Sequence, residues 1–266
     1  MKIKKYSVIG NPVKHSLSPK LHNYWLKKNN IDAVYEKIKL EKNDIKNFIK
    51  EIRQQKIIGC NVTVPFKKTV IPFLDNLSLE AEQSQSVNTI VFENGNIVGH
   101  NTDIAGFTRA IKDLNFKIMG KKVLILGAGG VVSSIIFALN KMKVSEVIVS
   151  NRTKEKAKNL KLHFNNLRIL DWGELTECDL IINATSLGLN EETINLNFSK
   201  VGKNKLFYDV IYNPKETNFL KEGKRLGNQI ENGKLMFIYQ AFEAFKLWHE
   251  IEPEINNETI EILDND

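Results

Sequence analysis

The 266 residues allow one large domain or two of ordinary size. With 42% hydrophobic and 26% charged residues the chain has the composition of a soluble globular protein, and no apolar run approaches the roughly 20 residues that a membrane-spanning helix requires. The formal charge of +7 admits nucleic acid, an anionic membrane or small anions as partners, but the lysines are dispersed among Asn and Glu, as in Lys154-Glu155-Lys156, the pattern of a solvated surface rather than a nucleic-acid patch.

The basic start, Met1 to Tyr6, runs into a strand at Ser7-Val8-Ile9 and lacks the apolar core of a signal peptide. Ser18-Pro19 supplies a candidate N-cap with proline at the first helical position, and Leu21 and Trp25 lie one turn apart. Tyr35 to Leu40 alternates as a strand. Ile45, Phe48, Ile49 and Ile52 have the spacing of a helix with one buried face. Ile57 to Val62 is a further strand ended by Pro65, and Asn94-Gly95 marks a hairpin between Thr89–Phe92 and Ile97–Gly99. A helix is expected over 103 to about 116. Beyond it come the buried strand Lys122–Leu126, an apolar helix Val131–Leu139, and strands at Glu146–Val149, Leu180–Ile182 and Leu206–Val210, a succession that predicts a parallel sheet of the dinucleotide-binding kind. A long aromatic helix covers Phe237–Trp248, and the acidic tail from Glu252 to Asp266 is expected to fray in part. Cys60 and Cys178 stand in unrelated contexts and form neither a disulfide framework nor a metal knuckle, so a reducing cytoplasm is the expected setting. The five histidines show no ligand spacing, and no metal is expected.

Gly127-Ala128-Gly129-Gly130 follows a strand and opens a helix, where a sharp turn and a helix N-terminus suit a pyrophosphate. An ordinary glycine-rich turn is the alternative. Val132 stands where the fingerprint wants a third small residue. The next strand ends not in the acid that would hold a ribose 2′-hydroxyl but in Ser150-Asn151-Arg152-Thr153, with Lys154 and Lys156 behind it. Cations and hydroxyls there suit a 2′-phosphate and favour NADP, although a basic solvated loop reads the same way.

Polar clusters fall at strand ends in the first half: Ser16-Leu17-Ser18, Asn61-Val62-Thr63 with Lys67, Val87-Asn88-Thr89 and Asn101-Thr102-Asp103. Ligands bind beyond such ends in open α/β sheets. Taken singly, Ser18 caps a helix, Asn and Asp make turns, and an exposed Lys means nothing. Together, Gly10-Asn-Pro-Val-Lys-His-Ser-Leu-Ser-Pro19, Asn61-Val-Thr-Val-Pro-Phe-Lys67, Val87-Asn-Thr89, Asn101-Thr-Asp-Ile-Ala-Gly106, the glycine loop, Asn151-Arg-Thr153, Asn183-Ala-Thr-Ser186, Asp209-Val-Ile-Tyr-Asn-Pro214 and Asn232-Gly233 with Met236 and Gln240 resemble the shikimate dehydrogenase family nearly end to end.

That resemblance implies NADPH-dependent reduction of 3-dehydroshikimate to shikimate, on the route to aromatic amino acids. It implies that Ser16 and Ser18 bind the substrate carboxylate, that Asn61, Thr63, Asn88 and Gln240 hold ring hydroxyls, that Tyr212 lines the substrate site unless it merely packs, and that Lys67 and Asp103 form a catalytic pair. The implied cofactor contacts are Gly127, Ala128, Gly129, Gly130, Val131, Asn151, Arg152, Thr153, Lys156, Thr185, Ser186 and Gly233. A protonated Lys67 supplies the proton that a ketone needs as hydride arrives. Asp103 favours the charged lysine, which opposes proton acceptance in the reverse direction, so substrate binding and desolvation are expected to make up the difference. The sequence departs from the family at Gln85 and Ser86, at Val131-Val132, at Lys156 where an arginine is usual, and in lacking a second glycine beside Met236.

The expected architecture is an N-terminal α/β substrate domain, residues 1–102 completed by 236–266, and a Rossmann-type NADP domain, 103–235, with a cleft between them. Small molecules are the expected partners of a cytoplasmic monomer or homodimer, with no nucleic acid and no membrane. A quinate-tolerant, NAD-using relative should carry an acid near 151–153, and a non-catalytic redox sensor should lack the Lys67–Asp103 pair; neither pattern is present.

Overall fold

A computed structural model describes residues 3–190 and 192–264. The chain divides into two compact units, residues 1–105 with 238–266 and residues 106–237.

The first unit contains β1 (Lys4–Gly10), α1 (Ser18–Lys28), β2 (Ala33–Lys39), α2 (Ile45–Arg53), β3 (Gly59–Val62), β4 (Asn76–Leu77), α3 (Leu79–Ser84), β5 (Thr89–Glu93), β6 (Asn96–His100) and the start of α4 (Asp103–Asp113). Its sheet has the order β2-β1-β3-β5-β6-β4, with β1 parallel to β2 and β3, and β3, β5 and β6 antiparallel. The apolar stripe of α2, Ile45, Phe48, Ile49 and Ile52, is buried as its spacing predicts. Asn94 (φ 49°) and Gly95 (φ 81°) both take the left-handed conformation of a two-residue hairpin turn. Ser18, the candidate cap, is instead the first residue of α1; Leu17 occupies the cap position, and no side chain caps the helix.

The second unit contains β7 (Lys122–Leu126), α5 (Val132–Lys141), β8 (Glu146–Ser150), α6 (Lys154–Leu160), β9 (Leu167–Leu170), β10 (Leu180–Asn183), β11 (Leu206–Asp209), α7 (Asn218–Arg225) and β12 (Gln229–Glu231). Its strands are all parallel, in the order β12-β11-β10-β7-β8-β9. Chain order runs outward in both directions from β7, so the connections reverse between β7 and β10, where an open parallel sheet leaves room for a ligand beyond the strand ends. Val123 to Leu126 are wholly buried, which is why this strand is one continuous apolar run rather than an alternating one.

The chain returns to the first unit within α8 (Lys234–His249) and ends in α9 (Asn257–Glu261). Trp248 of α8 lies over β3, and its indole N–H donates to the Ile90 carbonyl at 3.0 Å. Gly59 is required beneath it, because a Cβ there would sit 2.3 Å from the indole nitrogen. The acidic tail is ordered where a frayed end was expected. Asn256 and Thr259 cap α9 reciprocally, Trp25 donates to the Glu254 carbonyl at 3.1 Å, and Leu263 is buried; residues 265 and 266 lie outside the described residues.

Candidate active site

In the first unit Lys67, Asp103, Asn88, Asn61, Thr89 and Thr102 of the sequence clusters join into one hydrogen-bonded group. Lys67 follows β3 through a tight turn, and Asp103 opens α4. Both are buried, at 8% and 6% exposure, and the lysine ammonium donates to Asp103 Oδ2. A charge pair this far from water persists only when its remaining hydrogen-bonding capacity is met. Asn88 meets part of it, donating from Nδ2 to Asp103 Oδ1 at 3.0 Å, to Thr102 Oγ1 at 2.9 Å and, at 3.4 Å, to Gln240 Oε1. The Thr102 backbone N–H, which can only donate, points at Asn88 Oδ1 from 2.7 Å and fixes which way the amide faces.

Asn61 extends the group. Its Nδ2 donates to the Asn88 carbonyl at 3.2 Å and to Thr89 Oγ1 at 3.0 Å, and its Oδ1 accepts the Tyr35 hydroxyl at 2.6 Å. Ser16 and Ser18 lie side by side, with the Ser16 hydroxyl donating to Ser18 Oγ at 3.2 Å. Thr63, half-buried, turns its methyl toward Gly10, where a Cβ would approach it to 2.4 Å; its hydroxyl has no hydrogen-bond partner among the described residues. Thus Lys67, Asp103, Asn88, Gln240 and Asn61 are linked directly, and Ser16 and Ser18 pair beside them. Tyr35 and the bracing role of Thr89 and Thr102 are not evident from the sequence. The two threonines fall inside recognised motifs, while nothing local marks Tyr35, whose hydroxyl finds a partner 26 positions away.

In the second unit the glycine loop leaves β7 with Gly127 at φ 112°, and its N–H donates to the Ser150 carbonyl at the end of β8 at 2.8 Å. A Cβ on Gly127 would sit 2.7 Å from the Ala184 carbonyl oxygen, so the loop is wedged against the segment after β10. Gly129 is different: it is exposed, and a Cβ there would meet nothing nearer than 3.9 Å. No protein atom demands glycine at that position, whereas close approach of a phosphate to the backbone would. Gly130 and Val131 lead into α5, whose first turn has no side-chain cap, and Val132, the departure from the fingerprint, is fully buried.

Beside this loop, Asn151, Arg152 and Thr153 follow β8; the Asn151 amide donates to the Thr153 carbonyl at 2.7 Å. Arg152 and Lys156 are exposed and form no ion pair among the described residues. Lys154, grouped with them in the sequence, is instead held by Asp171 at 2.5 Å. On the other side, Thr185 turns its hydroxyl to Asn183 Oδ1 at 2.7 Å and accepts from Leu187 N–H, while Ser186 is exposed. Asn183 braces this turn by donating to Asp209 at 3.0 Å; Asp209 also accepts from Thr217 at 2.6 Å and from Ile211 N–H. Burial pushes the Asp209 carboxyl up to about 6. Gly233 is buried against Val210, where a Cβ would approach the carbonyl oxygen to 2.2 Å, and the Tyr212 ring packs 4.6 Å from that of Phe237 with the planes tilted by 32°. An uncapped helix start, an open glycine backbone and two unpaired cations form a donor set that fits a dinucleotide with a further phosphate.

The model of the shikimate dehydrogenase substrate binding domain matches residues 8–90, and that of shikimate / quinate 5-dehydrogenase matches residues 109–214. Shikimate dehydrogenase (NADP(+)) of Pelagibacter ubique (strain HTCC1062) is 58% identical over 98% of this chain and 99% of its own. The crystal structure of shikimate dehydrogenase from Aquifex aeolicus superposes with a TM-score of 0.90 at 37% identity, covering 99% of this chain and 98% of that one. The Thermus thermophilus shikimate 5-dehydrogenase, solved in complex with NADP(H) and shikimate, superposes with a TM-score of 0.86 at 33% identity, covering 94% and 95%. The chain belongs to the shikimate dehydrogenase family.

Proposed function

We propose that this protein catalyses the reversible NADPH-dependent reduction of 3-dehydroshikimate to shikimate, with substrate bound by the first unit and NADP by the second. The observation that carries the reading is the buried Lys67–Asp103 pair braced by Asn88: a proton donor and its carboxylate held in the same hydrogen-bonded group as Asn61 and Gln240, with Thr63 directly after Val62, the last residue of the strand that carries Asn61.

NADPH, when bound, supplies the hydride that turns the ketone carbon into an alcohol carbon. The chain's own residues do the rest. Lys67 Nζ delivers the proton to the ketone oxygen as negative charge develops there, and in oxidation takes it back. Asp103 holds the ammonium through Oδ2, and Asn88 keeps the carboxylate in place through Oδ1, so the donor is aimed before the substrate arrives. Ser16 and Ser18, adjacent and uncharged, offer hydroxyls to the substrate carboxylate, while Thr63 has a hydroxyl to spare. In the second unit Gly127, whose N–H is taken by the Ser150 carbonyl, makes the turn after which Ala128 to Val131 would hold the pyrophosphate; Asn151, Arg152, Thr153 and Lys156 would hold the adenosine ribose phosphate, and Thr185, Ser186 and Gly233 the nicotinamide half. Tyr212 is assigned to the substrate side of that half. Such chemistry fits a cytoplasmic enzyme that works as a monomer or homodimer on small anions, with neither nucleic acid nor membrane as a partner.

The test is NADPH oxidation followed at 340 nm with 3-dehydroshikimate, with NADH alongside. Fast turnover with NADPH, slow turnover with NADH, a loss of at least 100-fold in kcat for Lys67→Ala and a smaller loss for Asp103→Asn are expected. A folded protein inactive with both cofactors refutes the reading, and full activity in Asp103→Asn removes Asp103 from the mechanism.

A further inference from the structure

The hydroxyl of Tyr35 is a buried polar group of the first unit that the proposed chemistry leaves unused. Tyr35 sits in β2, 2% exposed, and its ring stacks on that of His22 at 4.3 Å with the planes 6° apart. Trp248 lies 6.0 Å away. The ring is therefore clamped inside the core, and only its hydroxyl reaches the polar group, where it donates to Asn61 Oδ1 at 2.6 Å.

The direction of that bond follows from the backbone. The Asn61 amide faces the Asn88 carbonyl at 3.2 Å, and a carbonyl can only accept, so the atom facing it is Nδ2 and the atom facing Tyr35 is the oxygen. Tyr35 is then the donor. Both Nδ2 protons are taken, one by the Asn88 carbonyl and one by Thr89 Oγ1 at 3.0 Å. What Asn61 has left is one lone pair on Oδ1, aimed by the Tyr35 bond.

We propose that Tyr35 is a positioning residue for the substrate site: the Asn88 carbonyl sets which way the Asn61 amide faces, and Tyr35, by donating to Asn61 Oδ1, holds that oxygen in place and leaves one aimed lone pair for a substrate hydroxyl that can donate. The inference rests on the proposed function, since it gives that substrate's hydroxyl its partner. Tyr35 does not itself exchange protons in the reaction; burial holds its phenol well above the ordinary range, and it remains a neutral donor.

The experiment is Tyr35→Phe in the full-length enzyme, which keeps the stacked ring and removes one oxygen. With the Asn61 oxygen no longer held by the phenol, KM for shikimate should rise about tenfold, equivalent to about 1.4 kcal/mol, while kcat stays within threefold, KM for NADP is unchanged and the melting temperature moves by only a few degrees. A double-mutant cycle separates positioning from packing: Tyr35→Phe should have less than a twofold effect when Asn61 is already Ala, whereas a purely structural role would raise KM and lower stability in either background. The cycle is read both from KM and from calorimetric binding of shikimate. An active wild type whose Tyr35→Phe variant keeps its KM, or whose two substitutions add independently, overturns the inference alone. A wild type that neither turns over nor binds shikimate refutes the proposed function and this inference with it.

Discussion

NADP and NAD differ only in the 2′-phosphate, so the ratio of the two activities isolates whatever holds that group. Arg152 is the side chain best placed to do so: it follows β8 beside the glycine loop, is exposed, and has no carboxylate partner among the described residues. Because it is exposed, its interaction with the phosphate is set by a water-like dielectric, in which unit charges 4 Å apart interact by about 1 kcal/mol. A phosphate monoester carries about −1.5 to −2 charges at neutral pH, so losing the guanidinium should cost ~1.5–2 kcal/mol, roughly a 10- to 30-fold drop. Arg152→Ala should therefore lower the ratio of kcat/KM with NADP to kcat/KM with NAD by that factor at low ionic strength, and by less as salt screens the pair. Any stacking of the guanidinium on adenine cancels in the ratio. Lys154→Ala should change it by less than about threefold, since its ammonium stays on Asp171 and acts only from a distance. Initial rates at 340 nm with both cofactors, at two salt concentrations, measure all of this. An unchanged ratio in Arg152→Ala, or an equal fall in Lys154→Ala, would show that the 2′-phosphate is held elsewhere.

Two glycines of the cofactor loop should respond differently to a methyl group. Gly127→Ala forces an alanine to φ 112° with its Cβ 2.7 Å from a backbone oxygen, which should cost about 3 kcal/mol and roughly 6–12 °C in melting temperature; Gly129→Ala should leave the melting temperature within about 2 °C and raise KM for NADP at least tenfold. A stable Gly127→Ala or a Gly129→Ala with normal KM contradicts the assignment. The pH dependence of stability should carry two opposed contributions. His22, buried with both ring nitrogens unpartnered and beside His249, is lowered to about 3: below about 6.5 the unfolded chain takes a proton that the native one refuses, so stability falls as the pH drops from about 6.5 to 3, by up to a few kcal/mol. Asp209, raised to about 6, is protonated in the native state first, so its contribution falls as the pH rises from about 4 to 6. Melting curves across pH 4–7 should show a flatter acid limb in His22→Leu and a steeper one in Asp209→Asn; unaltered slopes in both would mean that neither group titrates as placed.

Where one residue's surroundings are its own neighbours in sequence, the chain is transparent. β7 is legible because burial on both faces makes Val123 to Leu126 uniformly apolar, and α2 because Ile45, Phe48, Ile49 and Ile52 repeat at the helical period. The elements that escape are those with little to bury. α3 reads Leu-Glu-Ala-Glu-Gln-Ser, buries only Ala81 and Ser84 and leaves Leu79 at 60% exposure; β4, with two residues, and β9, on a sheet edge, have no pattern long enough to see. Lys67 and Asp103 stand out through their motifs, yet their contact spans 36 positions, and no spacing rule predicts it. The same holds for Lys154, whose charge is plain in the sequence but whose partner, Asp171, arrives from another strand.

The motifs name Asn61 and Asn88 but leave open which way their amides face. Asn88 and Asn61 are symmetric enough as side chains that either could face the substrate with a donor or an acceptor. Their orientation is settled by groups that have no such freedom: the Thr102 N–H, which can only donate, and the Asn88 carbonyl, which can only accept. Each amide is thereby committed before any ligand binds, Asn88 presenting N–H groups to the Asp103 carboxylate and Asn61 a carbonyl oxygen beside it. Under the proposed function, a site organised in this way does not reorient its dipoles as charge moves onto the ketone oxygen, and in a buried setting that is the larger part of what a protein can contribute to proton transfer.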